Sequence, residues 1–236
     1  MSTRPDNNLS VSMQDADVGA QNAEPPVDPR VRDLLRDAAW WRLLGRLFDC
    51  PSEEWRRDVA TLAGEVDDTD LCRAAEAALV TATEGRYHSM FGPGGPAPPR
   101  EVSYHDTLEL GSLMSELAGY YEAFGYHPAT PEAPDHLAVE VGFIAYLRFK
   151  EAYAVAAGDN ERASTATQAA ARFLTDHLAM LAAPLASVLA DSEIDYLIQA
   201  SRLLTSRAGE RPSRTLLPVI QQPVDQDGSE FRCCDS

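Results

Sequence analysis

Lysine is almost absent from this chain, because Lys150 is the only one among its 236 residues and arginine supplies nearly all the positive charge. Acidic residues outnumber basic ones, and the formal net charge is −17. Such a surface repels nucleic acids and anionic membranes, so binding to either through a basic patch is excluded. An acidic, alanine-rich, lysine-poor composition is typical either of a GC-rich genome or of a halophilic cytoplasm, in which carboxylates keep the surface hydrated.

Long apolar runs are also missing. The most apolar segment, Leu137 to Phe149, is interrupted by Glu140 and Arg148 and is too short to span a bilayer. The N-terminus has no basic region followed by an apolar run, so it is unlike a secretory signal. We therefore expect a cytoplasmic protein without a membrane span.

Cysteines are few, and none of them forms a C-x-x-C pair, which excludes a zinc ribbon or a thioredoxin-type motif. We expect Cys50 and Cys72 to behave as small apolar residues and the Cys233–Cys234 pair to be inert. Glycine-rich phosphate-binding motifs and the G-x-S-x-G nucleophile motif are absent as well. No motif in the chain indicates an enzyme.

Strand patterns are nearly absent, since no alternating runs of Val, Ile and Thr and no Asn-Gly hairpin turns occur. Apolar residues recur instead at helical spacing over residues 29–207, which predicts an all-α, single-domain helical bundle of about seven main helices. Residues 1–28 are polar and aperiodic, and we predict a disordered tail there. Residues 208–236 are rich in proline and are predicted to form an irregular C-terminal tail.

Capping signals predict where the helices begin and end. Pro51 should end the first helix and Ser52 should cap the second. The third should run from Asp68 or Thr69 toward Tyr87. The segment from Gly92 to Arg100 is rich in proline and glycine, which excludes helix and central strand there. The later helices are expected at about Asp106–Phe124, Pro134 or Asp135–Ala157, Asn160–Leu181 and Pro184–Ser206. For the last of these, a break at Asp191-Ser192 is the alternative.

The most informative motif is Pro134-Asp135-His136-Leu137, at the expected start of the fifth helix. Asp135 is a suitable helix cap, and an exposed histidine in the first turn would be ordinary. In the alternative interpretation, His136 and Glu140 share one helix face, where carboxylates around an imidazole would bind a cationic group such as a peptide arginine. Glu140 lies in an apolar stretch and needs a partner or a water-filled groove.

His177 lies on the apolar face of the sixth predicted helix. In that setting a core histidine bonded to a backbone carbonyl is more common than a ligand. His136, Glu140 and His177 have side chains suited to metal ions, but the zinc-peptidase and di-iron helix patterns are missing. We therefore expect no metal and no cofactor, and a metal-dependent enzyme that uses these three residues is the weakest hypothesis.

In their order along the chain, these motifs resemble the TorD/DmsD/NarJ family of molybdoenzyme assembly chaperones. The resemblance covers roughly residues 40–205. The residues that carry it are Tyr87, Met90 to Pro93, Ser103-Tyr104, Tyr121 to Gly125, Pro134 to Leu137, Glu140, Phe143 and Phe173 to Leu178.

The resemblance implies an all-helical chaperone rather than an enzyme. Such proteins hold the apo catalytic subunit of a DMSO-reductase-type enzyme in the cytoplasm and assist insertion of the molybdenum cofactor. Many also bind the client's twin-arginine signal peptide and so delay export until the client is folded. For this chain, the resemblance implies a client or signal-peptide site at Tyr87, Phe91, Pro98, Tyr104, Asp135, His136 and Glu140.

The competing hypothesis is a helical interaction or regulatory module that shares only the fold with these chaperones. It predicts an unrelated partner. The oligomeric state, monomer or dimer, leaves no mark in the sequence.

Overall fold

The computed structural model describes residues 28–105 and 109–209. Its α-helices are α1 Pro29–Leu47, α2 Glu53–Ala63, α3 Thr69–Thr81, α4 Glu84–Phe91, α5 Leu110–Phe124, α6 Leu137–Ala156, α7 Asn160–Phe173, α8 Ala179–Leu189 and α9 Asp195–Ala208. A 3-10 turn covers Glu101–Tyr104, and a π turn, Leu174–Leu178, joins α7 to α8. No strand occurs in these two ranges, and the predicted all-α helical fold is confirmed.

The predicted N-terminal tail, the C-terminal tail beyond Gly209 and the Cys233–Cys234 pair lie outside the described residues. Within them, no helix is both long enough and apolar enough to cross a membrane. Cys50 and Cys72 are half-buried free thiols, as expected of small apolar residues.

Several predicted helix ends are confirmed by capping contacts. Ser52 Oγ accepts a hydrogen bond from the backbone N–H of Trp55 at 3.1 Å, so Ser52 caps α2 as expected. Gly125 ends α5 with φ +65°, a left-handed conformation that favours glycine. Asp159 caps α7 by accepting from the N–H of Arg162 at 3.0 Å.

The boundaries between helices differ from the predicted ones at two places. The third predicted helix stops at Thr81, because Thr83 adopts an extended conformation and caps a separate helix, α4, through the N–H of Arg86. Pro184 was expected to begin a helix but lies inside α8. The chain breaks after Leu189, and the alternative with a break at Asp191-Ser192 is confirmed; Glu193 in this break has a positive φ of 56°.

The antiparallel pair of α1 and α6 forms the centre of the fold. Arg30 at the start of α1 pairs with Glu151 near the end of α6 at 3.8 Å, whereas Gly45 near the end of α1 lies against the start of α6. A Cβ at Gly45 would come within 3.2 Å of Val141 Cγ1, so glycine is what allows the two helices to approach this closely. Most of α6 is buried, which agrees with the central position predicted for it.

Phe143 on α6 is fully buried in a cluster of aromatic rings. The neighbouring rings, with centroids 4.9–6.2 Å from that of Phe143, belong to Tyr120, Tyr121, Phe124, Tyr126 and Phe173. These residues come from α5, from the turn after it and from α7, so Phe143 joins three parts of the chain.

Replacement of this ring should be costly. We expect Phe143→Ala to lower the free energy of unfolding by about 3–5 kcal/mol, because it removes a large side chain and leaves a cavity among rings held by other contacts. Phe149→Ala on the same helix is the matched control, since Phe149 is 53 % exposed and its loss should change stability by no more than about 0.5 kcal/mol. Urea unfolding of the two variants measures both values, and equal losses would contradict this account of the core.

Candidate functional site

A short backbone pairing joins the end of the proline-rich loop to the segment before α6. Arg100 and His136 form an isolated antiparallel bridge, and the N–H of Glu101 donates to the carbonyl of Asp135 at 2.9 Å. The sequence predicted that α6 begins at Pro134 or Asp135. The backbone of His136 is extended, however, and the helix begins at Leu137. We call this pairing the junction.

Asp135 holds the junction together instead of capping the helix. Its side chain is fully buried and forms an ion pair with the half-exposed guanidinium of Arg100. Its second carboxylate oxygen accepts from the N–H of Val102 at 3.4 Å. Both carboxylate oxygens therefore have partners within the junction, as a buried charge requires.

His136 is the cap of α6, and it is buried rather than exposed. Its Nδ1 accepts from the N–H of Ala138 at 3.2 Å, so the ring proton lies on Nε2, which faces the hydroxyl of Tyr87 at 3.2 Å. Burial lowers the pKa of His136, against the opposing influence of Glu132 nearby, and the ring is neutral at pH 7. With both nitrogens engaged, this imidazole has none to offer a metal ion.

Glu101, directly after Arg100, is a fully buried carboxylate bound by two histidines. Its Oε1 lies 2.7 Å from His105 Nε2, and its Oε2 lies 3.0 Å from His177 Nδ1. Burial alone would raise the pKa of Glu101, but the hydrogen bond and charge of His177 and the hydrogen bond of His105 outweigh it and lower the pKa. Glu101 is therefore ionised at neutral pH inside the protein.

His177 reaches Glu101 from the π turn between α7 and α8. In that turn the N–H of Ala179 bonds to the carbonyl of Leu174, five residues earlier, instead of the α-helical four. The expectation that His177 bonds to a backbone carbonyl is therefore wrong, because its partner is a carboxylate 76 residues earlier in the chain. The ring also packs on Phe173, with centroids 4.5 Å apart.

Glu140 completes the cluster as a neutral acid. Its side chain is fully buried, and neither oxygen makes a hydrogen bond of normal geometry to any described residue. Burial, together with the charges of Glu101 and Asp135, raises the pKa of Glu140 well above its ordinary value, so the carboxyl is protonated at pH 7. We call Glu101, His105, Glu140 and His177 the Glu101 cluster.

The residues predicted as a client site all lie at or beside the junction. Tyr87, Phe91, Asp135, His136 and Glu140 are buried, and only Pro98 and Tyr104 reach the surface in part. The hydroxyl of Tyr104 donates to the carbonyl of Pro98 at 2.8 Å, which fixes the two relative to each other.

Sequence reasoning missed Arg100, Glu101 and His105. A charged pair directly after a proline-rich loop and a Glu-x-x-x-His spacing were the available signals, but the segment has no helical period to draw attention to them. Metal binding finds no support here, since the described parts of the chain contain no group of three His, Cys, Asp or Glu side chains placed to hold an ion.

Comparison with known families gives one match. The sequence model of the family described as nitrate reductase delta subunit matches residues 50–187, which is more than half of the chain and includes the junction and the Glu101 cluster. No curated protein sequence matches the chain significantly.

The raised pKa of Glu140 has a consequence for stability. The pKa of Glu140 is higher in the folded protein than in the unfolded chain, where it has the ordinary value of 4.5. Its contribution to the stability of the fold is therefore complete below pH 4.5 and is lost as the pH rises through the folded pKa. Glutamine keeps the size and stays neutral, so Glu140→Gln should match the wild type near pH 5. As the pH rises above 5 the variant should become the more stable of the two proteins, by about 1.4 kcal/mol for each pH unit until the folded pKa of Glu140 is reached.

Thermal unfolding of both proteins across this pH range measures the effect. Glu76→Gln on α3 is the control, because Glu76 is exposed and its replacement should leave the pH dependence of the wild type unchanged. Parallel curves for the wild type and Glu140→Gln would contradict a neutral Glu140.

Proposed function

Since this chain belongs to the nitrate reductase delta subunit family, we propose that it is the assembly chaperone of one DMSO-reductase-type molybdoenzyme. Membership of the family implies a role in molybdoenzyme maturation. The chain binds the apo catalytic subunit in the cytoplasm, keeps it competent for insertion of the molybdenum cofactor, and covers a twin-arginine leader, where the client has one, until folding is complete.

The observation that carries this proposal is the extent of the family match. Residues 50–187 include both segments of the junction, all four members of the Glu101 cluster and the proline-rich loop between α4 and the 3-10 turn. The buried polar contacts of the junction and of the Glu101 cluster therefore lie within the part of the chain that matches the family.

The junction also supports a particular role for the Asp135–His136 pair. Both side chains are buried, so in this conformation they act by holding the loop, Asp135 through Arg100 and His136 through Tyr87. The loop then presents Pro98 and Tyr104 to a client. An acidic protein is suited to a basic Arg-Arg leader, because complementary charge raises the rate and the specificity of association.

Affinity capture tests the function directly. The full-length tagged chain is recovered from its own host grown under anaerobic respiratory conditions, and the co-purifying proteins are identified by mass spectrometry. We expect enrichment of a molybdopterin oxidoreductase catalytic subunit, and we expect deletion of the gene to lower the activity of that enzyme. An unrelated partner, together with unchanged molybdoenzyme activity, would favour the interaction module that shares only the fold.

The loop residues give a sharper prediction. Tyr104→Ala and Pro98→Ala should each reduce the captured client about 10-fold, which corresponds to about 1.4 kcal/mol of binding free energy. Val80→Ala is the control, because Val80 is 84 % exposed on α3 and lies outside the junction. Capture at the wild-type level by both loop variants would exclude this surface.

Asp135→Asn tests whether the buried pair positions the loop. The amide keeps the size but not the charge that pairs with Arg100, so we expect reduced capture by a protein whose helical circular dichroism is unchanged. His136→Ala is a second variant, provided that it folds. If both variants capture the client at the wild-type level, client binding does not depend on the junction.

A further inference from the structure

Helix α5 lies between the Glu101 cluster and solvent. His177 Nε2 is buried and makes no hydrogen bond to a described residue, and Glu116 Oε1 on α5 lies 3.8 Å from it. The ring of Tyr120, also on α5, meets the His177 ring edge-on, with centroids 5.6 Å apart. The opposite face of the helix, which includes Ser115 and Glu122, is exposed. One side of the cluster is therefore covered by a single helix.

The C-terminal end of α5 is fastened to α6 and to the segment before it. Lys150 Nζ donates to the carbonyl of Phe124 at 2.7 Å, and the hydroxyl of Tyr146 donates to the same carbonyl at 3.1 Å. The hydroxyl of Tyr121 donates to the carbonyl of Pro134 at 2.8 Å. These hydrogen bonds satisfy a carbonyl that the helix itself leaves without a partner, and they fix the last turn of α5.

The N-terminal part of α5, residues 110–120, is held much less firmly. Leu113 and Leu117 are its only buried residues, and its other contacts with the cluster are those of Glu116 and Tyr120. Glu109 at the N-cap makes no capping hydrogen bond to a described residue. A segment with few buried apolar contacts and an uncapped end is the kind that opens locally while the rest of a domain stays folded.

Gly119 weakens this part of the helix further. Nothing lies within 4 Å of the position that a Cβ would occupy there, so packing does not require a glycine. Inside a helix, glycine shifts the equilibrium toward the unwound chain by roughly 5-fold relative to alanine, because it loses more backbone freedom. The weak position lies just before the last turn, where the firmly held part of α5 begins.

We propose that residues 110–120 form a lid over the Glu101 cluster, which unwinds from its N-terminal end and uncovers His177 while the last turn of α5 and the α1–α6 pair stay in place. On opening, Glu116 and Tyr120 leave His177, and water enters through the space that they occupied. The interior of the domain is then connected to solvent without global unfolding.

An opening that reaches the cluster has an electrostatic signature, because Glu140 is buried there as a neutral acid. Water around Glu140 returns its pKa toward the ordinary 4.5. The advantage that Glu140 gives to the closed form is complete below pH 4.5 and declines as the pH rises toward the closed-form pKa, so opening becomes easier. The other charged and titratable groups around the cluster are Glu101 with His105, Asp135 with Arg100, His177, Glu116 and Tyr121.

Amide hydrogen exchange of the full-length chain, followed by mass spectrometry of short peptides, measures the opening. We expect the amides of the lid to exchange faster than those of α6 and to respond less steeply to low concentrations of urea, because a local opening exposes less surface than unfolding of the domain. If the lid and α6 exchange at the same rate with the same urea dependence, α5 opens only with the whole domain and the inference is overturned.

Gly119→Ala should slow exchange in the lid about 5-fold, because alanine favours the wound helix. Gly85→Ala on α4 is the matched control, since nothing lies within 4 Å of a Cβ at that position either and the residue is outside the lid. It should leave exchange in the lid unchanged. An equal effect of the two substitutions on the lid, or none from Gly119→Ala, would contradict an opening by unwinding of α5.

The pH dependence tests whether the opening uncovers the cluster. Between pH 6 and pH 8, after correction for the intrinsic exchange rate, exchange in the lid of the wild type should rise by up to about 10-fold for each pH unit. Glu140→Gln stays neutral and should lack this rise, whereas the histidines are present in both proteins. A rise of equal size in the two proteins, or none in either, would show that the lid does not cover the cluster and would overturn the inference.

Discussion

The buried carboxylate of Glu101 is the constraint on which the arrangement of this fold depends. An ionised group that is fully removed from water is costly unless donors surround it, and here two imidazoles supply the hydrogen bonds. One imidazole belongs to His105, directly after the same 3-10 turn, and the other comes from the π turn before α8. The charge can therefore be accommodated only when the loop after α4 and the helix after α7 have reached their native positions.

How much of this was visible in the sequence depends on how local each interaction is. Ser52, Gly125 and Asp159 cap or end helices through neighbours within a few residues, so their roles could be predicted from spacing alone. The Pro-Asp-His-Leu motif was correctly placed at the start of a helix, but the simpler of its two interpretations gave Asp135 and His136 the wrong roles. Asp135 was expected to cap the helix and His136 to be exposed, whereas the partners that decide both roles, Arg100 and Tyr87, lie 35 and 49 residues away.

The Glu101 cluster was hidden from sequence analysis for the same reason. Glu101 follows a loop without periodicity, and its partner His177 lies 76 residues later in the chain. Glu140 was easier to single out in the sequence, because a carboxylate in an apolar helix needs a special environment. The structure provides such an environment. What the pattern could not specify was that a second buried carboxylate, Glu101, lies beside it and adds to the effect of burial in raising the pKa of Glu140.

The π turn at Leu174–Leu178 makes the number of residues in this helix as important as their identity. An α-helix advances by about 100° per residue, so one residue fewer would rotate everything that follows by more than a quarter of a turn. His177 would then no longer face Glu101, although every side chain of the cluster would still be present. The register of the α7–α8 helix is thus a property that point substitutions leave intact and that a single-residue deletion destroys.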